Sequence, residues 1–209
     1  MKLYDHPASG NCMKARIALR QLEIPYERIT VDLFARETRT PEHMARNPDG
    51  RVPVLELDSG EMIPESGAIL LYLADGTRLL PEDRVSRAHV HQWMFFEQNQ
   101  IEAQIAVARF IVLTGREERA PEILESLRAR GRGSLAALNR GLADERPFVT
   151  GDDYTVADVA LYAYVHCASD AGIDPLEHAM IGPWLERVEA TPLFENDLEP
   201  FPPHARVDA

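Results

Sequence analysis

Few side chains in this sequence carry reactive chemistry, and their spacing narrows what that chemistry can be. The two thiols, Cys12 and Cys167, make neither a CxxC pair nor a zinc-ligand spacing, so no disulfide framework is expected. Cys12 falls near the start of a helical pattern, where a thiol ionises more easily. It also shares an apolar stripe with Ala15 and Leu19, which suits a small buried hydrophobe better. The seven histidines are scattered, and His89 and His91, two apart, face different ways on a helix. A metal site needs convergent ligands, so no metal is expected. The remaining chemical feature is a proline. Pro53 sits in a strand-like run, Val52 to Leu57, directly after the turn signal Asn47-Pro48-Asp49-Gly50. Proline inside a strand implies either an edge position or a cis peptide bond, and the sequence does not choose between them. The cis form would turn the Val52 N–H and C=O outward, free to pair with an extended ligand.

The elements that must hold these residues change in kind along the chain. Lys2-Leu3-Tyr4 starts a strand, and Pro7-Ala8-Ser9-Gly10 is a turn. From Asn11, the positions Cys12, Ala15, Leu19 and Leu22 recur at helical spacing up to Pro25. Tyr26 to Leu33 alternates like a strand. A short helix over Pro41 to Arg46 has Thr40 as its cap and proline at its first position. Val52 to Leu57, the turn Asp58-Ser59-Gly60 and Glu61 to Ile63 form a hairpin, and Glu65 to Asp75 is again helical. After Leu80-Pro81 strand signals stop. Long helices are expected over 84–113, over 117–143 with an interruption near Gly131-Arg132-Gly133, over 155–171 and over 183–191. A proline-rich tail from Asp197 should run as loop. Thr155-Val156-Ala157-Asp158 is a capping signature, with aspartate in the usual place of glutamate. The fold class is therefore α/β followed by all-α, in two modules.

The chain of 209 residues carries 22 Lys+Arg against 34 Asp+Glu, a net charge of −12. Such an acidic balance argues against a nucleic-acid partner. No apolar run is long enough for a transmembrane helix, and the N-terminus lacks a leader pattern, so a cytoplasmic protein is expected. The charge is uneven: residues 1–80 hold 10 basic and 12 acidic residues, and the acidity falls on the rest.

The order of elements with Val-Pro before the hairpin resembles a thioredoxin-like fold. With Glu65-Ser66 after the hairpin and a helical second half, the whole chain resembles a cytosolic glutathione transferase of the bacterial Ser/Thr-x-Asn type. The resemblance rests on Pro7 to Cys12, Asn47 to Leu55, Pro64 to Ile69 and Tyr154 to Asp158. It implies a thioredoxin-like glutathione-binding domain over 1–80 and an all-helical domain over 86–209 that carries the second-substrate side. Ser9 is then the hydroxyl that stabilises the glutathione thiolate, beside a helix N-terminus. Lowering a thiol pKa by ~2 units requires roughly 2.7 kcal/mol of differential stabilisation, within reach of that pair of effects. Asn11 is a second donor near the same sulfur, or a cap. Val52, beside Pro53, pairs with the cysteinyl residue through its backbone. Glu65 and Ser66 hold the γ-glutamyl group, and Arg51, with the Thr38-Arg39-Thr40 loop, faces the glycine carboxylate. For the second substrate, Phe95, Phe96, Asn99, Gln100 and Arg109 lie in the relevant stretch, with core or dimer packing the plainer reading of the aromatics.

The expected function is a glutathione transferase that activates the thiol for attack on a small electrophile, in detoxification. The partners implied are glutathione as co-substrate, a small electrophilic or disulfide substrate, and a second copy of the chain in a homodimer. The alternatives are a glutathione-dependent disulfide reductase or peroxidase, and a non-catalytic glutathione-binding regulator. A glutathione-dependent isomerase of the family would carry a Ser-Ser-Cys loop, whereas this loop reads Ala8-Ser9-Gly10-Asn11-Cys12.

Overall fold

The computed structural model describes residues 1–143 and 146–207. The first strand, β1 (Lys2–Asp5), pairs in parallel with β2 (Glu27–Thr30), after the crossover helix α1 (Gly10–Gln21). On its other side β1 pairs antiparallel with β3 (Val54–Glu56), in the register Tyr4 with Val54, and β3 pairs antiparallel with β4 (Met62–Pro64). The strand order is β2-β1-β3-β4, a four-stranded mixed sheet of thioredoxin-like form. Two more helices complete this part, α2 (Pro41–Arg46) and α3 (Ser66–Ala74).

The strands are shorter than their patterning suggests, and local chemistry explains why. Asp32 accepts from the N–H groups of Phe34 and Ala35 at 2.8 and 3.0 Å, a side-chain turn that ends the extended run after β2. β3 starts only at Val54, so Pro53 precedes the strand rather than interrupting it, and the Val52–Pro53 peptide bond is cis.

The helical part follows. α4 (Arg84–Phe96) runs into a π-helical segment (Glu97–Ala106) and then α5 (Val107–Leu113), so the expected single helix over 84–113 is one rod with a wider middle. Within it, Ser134 donates to the Gln100 carbonyl at 2.9 Å. The helix α6 (Pro121–Gly141) passes through Gly131 and Gly133 without the expected interruption. Gly131 is there for closeness: a Cβ would lie 2.7 Å from Ile173 Cδ1 and 3.3 Å from Ile105 Cγ1. All ten residues of α7 (Val156–Val165) are buried, which makes it the central helix of its unit. It ends at Val165, and a 3-10 turn over Ala168–Ala171 replaces its expected last turns. α8 is Ile181–Glu189.

The chain divides into two compact units, Met1–Asp75 with Pro192–Pro200, and Gly76–Thr191 with Phe201–Ala209. The tail therefore does more than run as loop. Its first half returns to the sheet-bearing unit, and a 3-10 turn over Pro203–Ala205 follows; residues 208–209 of the expected tail lie outside the described residues. In the first unit Tyr4, Cys12, Val31, Val52 and Val54 form a buried cluster. In the second, Ile101, Ile105, Leu135, Leu138, Val159, Leu161 and Trp184 are fully buried.

Candidate functional site

The turn before α1 is where the sequence puts the chemistry. Ser9 is the N-cap of α1: its Oγ accepts from the Cys12 N–H at 3.3 Å. Its N–H donates to the His6 carbonyl at 3.0 Å, and the Ala8 N–H donates to His6 Nδ1 at 3.2 Å. The loop is thus fixed by its own main chain. A hydroxyl has two lone pairs and a proton, so capping leaves Ser9 able to donate.

Cys12 is fully buried in the sheet cluster. The Ser9 hydroxyl and the His6 N–H favour its thiolate, yet burial outweighs them and pushes the thiol well up. Burial likewise raises Cys167, to about 11. Both thiols are buried and shifted away from the thiolate, which is the form that attacks.

Asn11 and Ser66 meet across two elements. The Ser66 Oγ donates to Asn11 Oδ1 at 3.2 Å, which joins the first turn of α1 to the first residue of α3. Ser66 is buried and Glu65 is exposed. Glu65 is the N-cap of α3 at φ 72, ψ 117, a conformation that a non-glycine residue adopts only at a cost of about 1–3 kcal/mol. Its side chain makes no capping bond. The strain therefore serves the placement of the chain at that corner rather than a capping bond.

The turn at 47–51 positions Val52. Gly50 has φ +62, and a Cβ there would crowd Arg39 Nη1 and the Thr38 carbonyl, so glycine is required on two counts. Arg39 braces the turn from outside, Nη1 donating to the Asp49 carbonyl at 2.9 Å. The Arg51 carbonyl accepts from His43 Nε2 at 3.0 Å and Asn47 Nδ2 at 3.1 Å. Past this anchor, the Val52 main-chain N–H and C=O have no partner among the described residues, and the cis bond to Pro53 follows. The Arg51 guanidinium is exposed and lies 2.6 Å from the Asp49 carboxylate.

The residues expected to face a second substrate divide. Arg109 is buried and paired with Asp170 at 2.8 Å, so it is spent inside its own unit. Phe96 packs edge-on against Trp93, and Phe95 is 71% exposed. Among the described residues no cluster of three or more potential ligands could hold a metal. No described helix is long and apolar enough to cross a membrane.

Sequence reasoning missed one group beside this site. Arg16, on α1, is 1% exposed and contacts the Asp5 and Asp197 carboxylates and the Pro7 carbonyl. A charged residue four positions after Cys12 on an otherwise buried helix was the available signal. Its partner, Asp197, gives none.

Comparison with known proteins agrees with this geometry. Residues 1–75 match the glutathione S-transferase N-terminal domain and residues 115–171 the C-terminal domain. A maleylacetoacetate isomerase of Rhizobium meliloti is 37% identical over 82% of this chain and 83% of its own length. The disulfide-bond oxidoreductase YfcG of Escherichia coli is 28% identical over 91% of this chain and 90% of its own. The crystal structure of a glutathione S-transferase from Pseudomonas fluorescens superposes with a TM-score of 0.92 at 41% identity, covering 95% of this chain and 98% of that one. Another family member from Pseudomonas fluorescens, solved with two glutathione molecules bound, has a TM-score of 0.80 at 27% identity, covering 92% of this chain and 89% of that one. Two domain matches, relatives over most of the chain and a shared fold lead to one conclusion: the chain belongs to the glutathione S-transferase family.

Proposed function

We propose that the chain binds glutathione along its sheet-bearing unit and activates the thiol for attack on a small electrophile. The observation that carries this is the Ser66–Asn11 hydrogen bond, 3.2 Å long. It ties together the N-terminal turns of two helices, and each helix N-terminus favours an anion. One ligand with a thiolate and a carboxylate suits both ends. Ser9 donates to the sulfur, Asn11 orients the turn beside it, and Val52 pairs the ligand's cysteinyl main chain next to Pro53. Ser66 and the first N–H groups of α3 take the γ-glutamyl carboxylate, while Glu65 pairs its ammonium. Arg51 turns from the exposed Asp49, a pair worth little in water, to the glycine carboxylate. We also read the protein as a cytoplasmic homodimer, with the exposed Val85 and Phe95 of α4 as apolar surface to cover.

A second reading is favoured by the relatives. Their names include a disulfide-bond oxidoreductase and a maleylacetoacetate isomerase, and a bound glutathione thiolate could also attack a disulfide or add reversibly to an activated alkene. Parallel assays with a chlorodinitrobenzene-type electrophile, hydroxyethyl disulfide and maleylacetoacetate separate the three. The transferase reading expects the first to be the fastest. Ser9→Ala should lower kcat/KM by about 10- to 100-fold, since one charge-assisted donor to the sulfur is lost. Retention of full activity in both Ser9→Ala and Asn11→Ala would remove the proposed mechanism. Binding to a glutathione matrix without turnover in any assay would make the chain a non-catalytic binder.

A further inference from the structure

The loop that carries Ser9 is held from outside as well as from within. Arg16 is almost fully buried, and each nitrogen of its guanidinium group has an oxygen partner. Nε lies 2.9 Å from both carboxylate oxygens of Asp197, and Nη2 lies 2.8 Å from one of them. Nη1 donates to Asp5 at 2.6 Å, at the end of β1, and Asp5 also takes Arg28 on its second oxygen. Nη2 also reaches the Pro7 carbonyl at 3.3 Å. That same carbonyl accepts the Glu199 N–H at 3.3 Å. Two donors, one from α1 and one from the returning segment 192–200, therefore meet on the single carbonyl two residues before Ser9.

We propose that Arg16 and Asp197 are positioning residues for thiol activation: they clamp the segment Pro192–Pro200 over Pro7 and so fix where the Ser9 hydroxyl stands. The proposal rests on the reading of Ser9 given above. A mere staple between segment and unit would need only the charges. Here the arginine and the segment both end on the loop itself, and the arginine is withdrawn from solvent while Asp197 is half-buried over it, so the carbonyl has little freedom. A bidentate guanidinium–carboxylate pair also fixes direction, which a lysine cannot reproduce. Among the described residues no hydrogen bond or ion pair joins the cluster to Val52, Glu65 or Ser66, so ligand binding and thiol activation become separable.

Steady-state kinetics with glutathione varied, at saturating second substrate, provide the test, with thermal unfolding measured in parallel. Asp197→Asn and Arg16→Lys should each lower kcat about tenfold while KM for glutathione stays within about twofold, as expected when a reacting group is misplaced but the binding contacts remain. Asp197→Glu, which keeps the charge, should recover part of that loss. Glu199→Pro deletes the N–H that reaches Pro7 and leaves the Arg16–Asp197 and Arg16–Asp5 pairs, and Glu199→Ala, which loses the same carboxylate but keeps the N–H, is its control. The proline variant should give the same split more weakly and the alanine variant should not, which decides the matter if the charge variants do not fold. An unchanged kcat in Asp197→Asn or Glu199→Pro overturns the proposal. So does a loss that only tracks the unfolded fraction, which would make the cluster a staple. If the wild-type chain neither turns over nor is retained by glutathione, the functional reading itself has failed, and the positioning role falls with it.

Discussion

Single residues here do two jobs, and the clearest case is structural. Asp158 closes a capping box with Thr155 at the start of α7. It is fully buried and accepts from the Thr155 N–H, the Val149 N–H and Trp184 Nε1, each at 3.0 Å. Burial wins over these donors and raises its carboxyl to about 6 from an ordinary 3.8. Between those values the folded chain holds a proton that the unfolded chain has released. This contribution to stability is therefore complete below the lower value and is lost as pH rises through about 6. The total is on the order of 3 kcal/mol. His6 and His166, both lowered by burial, act in the opposite direction, so the test is a difference: the denaturant midpoint of Asp158→Asn relative to wild type should rise between pH 4 and 7. At pH 7, Asp158→Ala strands three buried donors and should cost about 3 kcal/mol or more. A midpoint unchanged from wild type would contradict the capping role.

Elements were legible where periodicity or a cap spoke alone. The turn before α1, the Thr40–Pro41 start of α2 and the Thr155–Asp158 start of α7 each carry their signal within four residues. What failed depended on distant partners. Gly131 and Gly133 read as a break because glycine weakens a helix locally by about 1 kcal/mol against alanine. The packing of α6 against Ile105 and Ile173 overrides that, and the sequence near Gly131 holds no trace of either residue. Gly131→Val should thus destabilise the protein by about 2 kcal/mol despite improving local propensity, because the added methyls have no room. Chemical denaturation checks it; a more stable variant would show that the glycine is incidental. The strand β2 stopped early for the opposite reason: a local side-chain turn at Asp32 outweighed an extended pattern. The Arg16–Asp197 pair spans nearly the whole chain, and no local pattern could have joined the two.

At the scale of the molecule, the acidic total of −12 hides a division of labour. Residues 1–80, which carry all the proposed glutathione contacts, are nearly neutral, with 10 basic and 12 acidic side chains. The proposed anionic ligand would meet Arg51 in this nearly neutral part, while the rest of the chain carries most of the acidic charge. The return of Pro192–Pro200 to the first unit means that the chain's end contributes to the same unit as its beginning. The account stands or falls on whether this chain ionises the glutathione it binds. Ultraviolet titration of the thiolate absorbance of glutathione on the intact protein measures this directly. For wild type we expect a bound-thiol pKa about 2 units below that of a free thiol, and for Ser9→Ala a value raised most of the way back. A bound thiol that titrates like free glutathione in the wild-type protein would contradict the account.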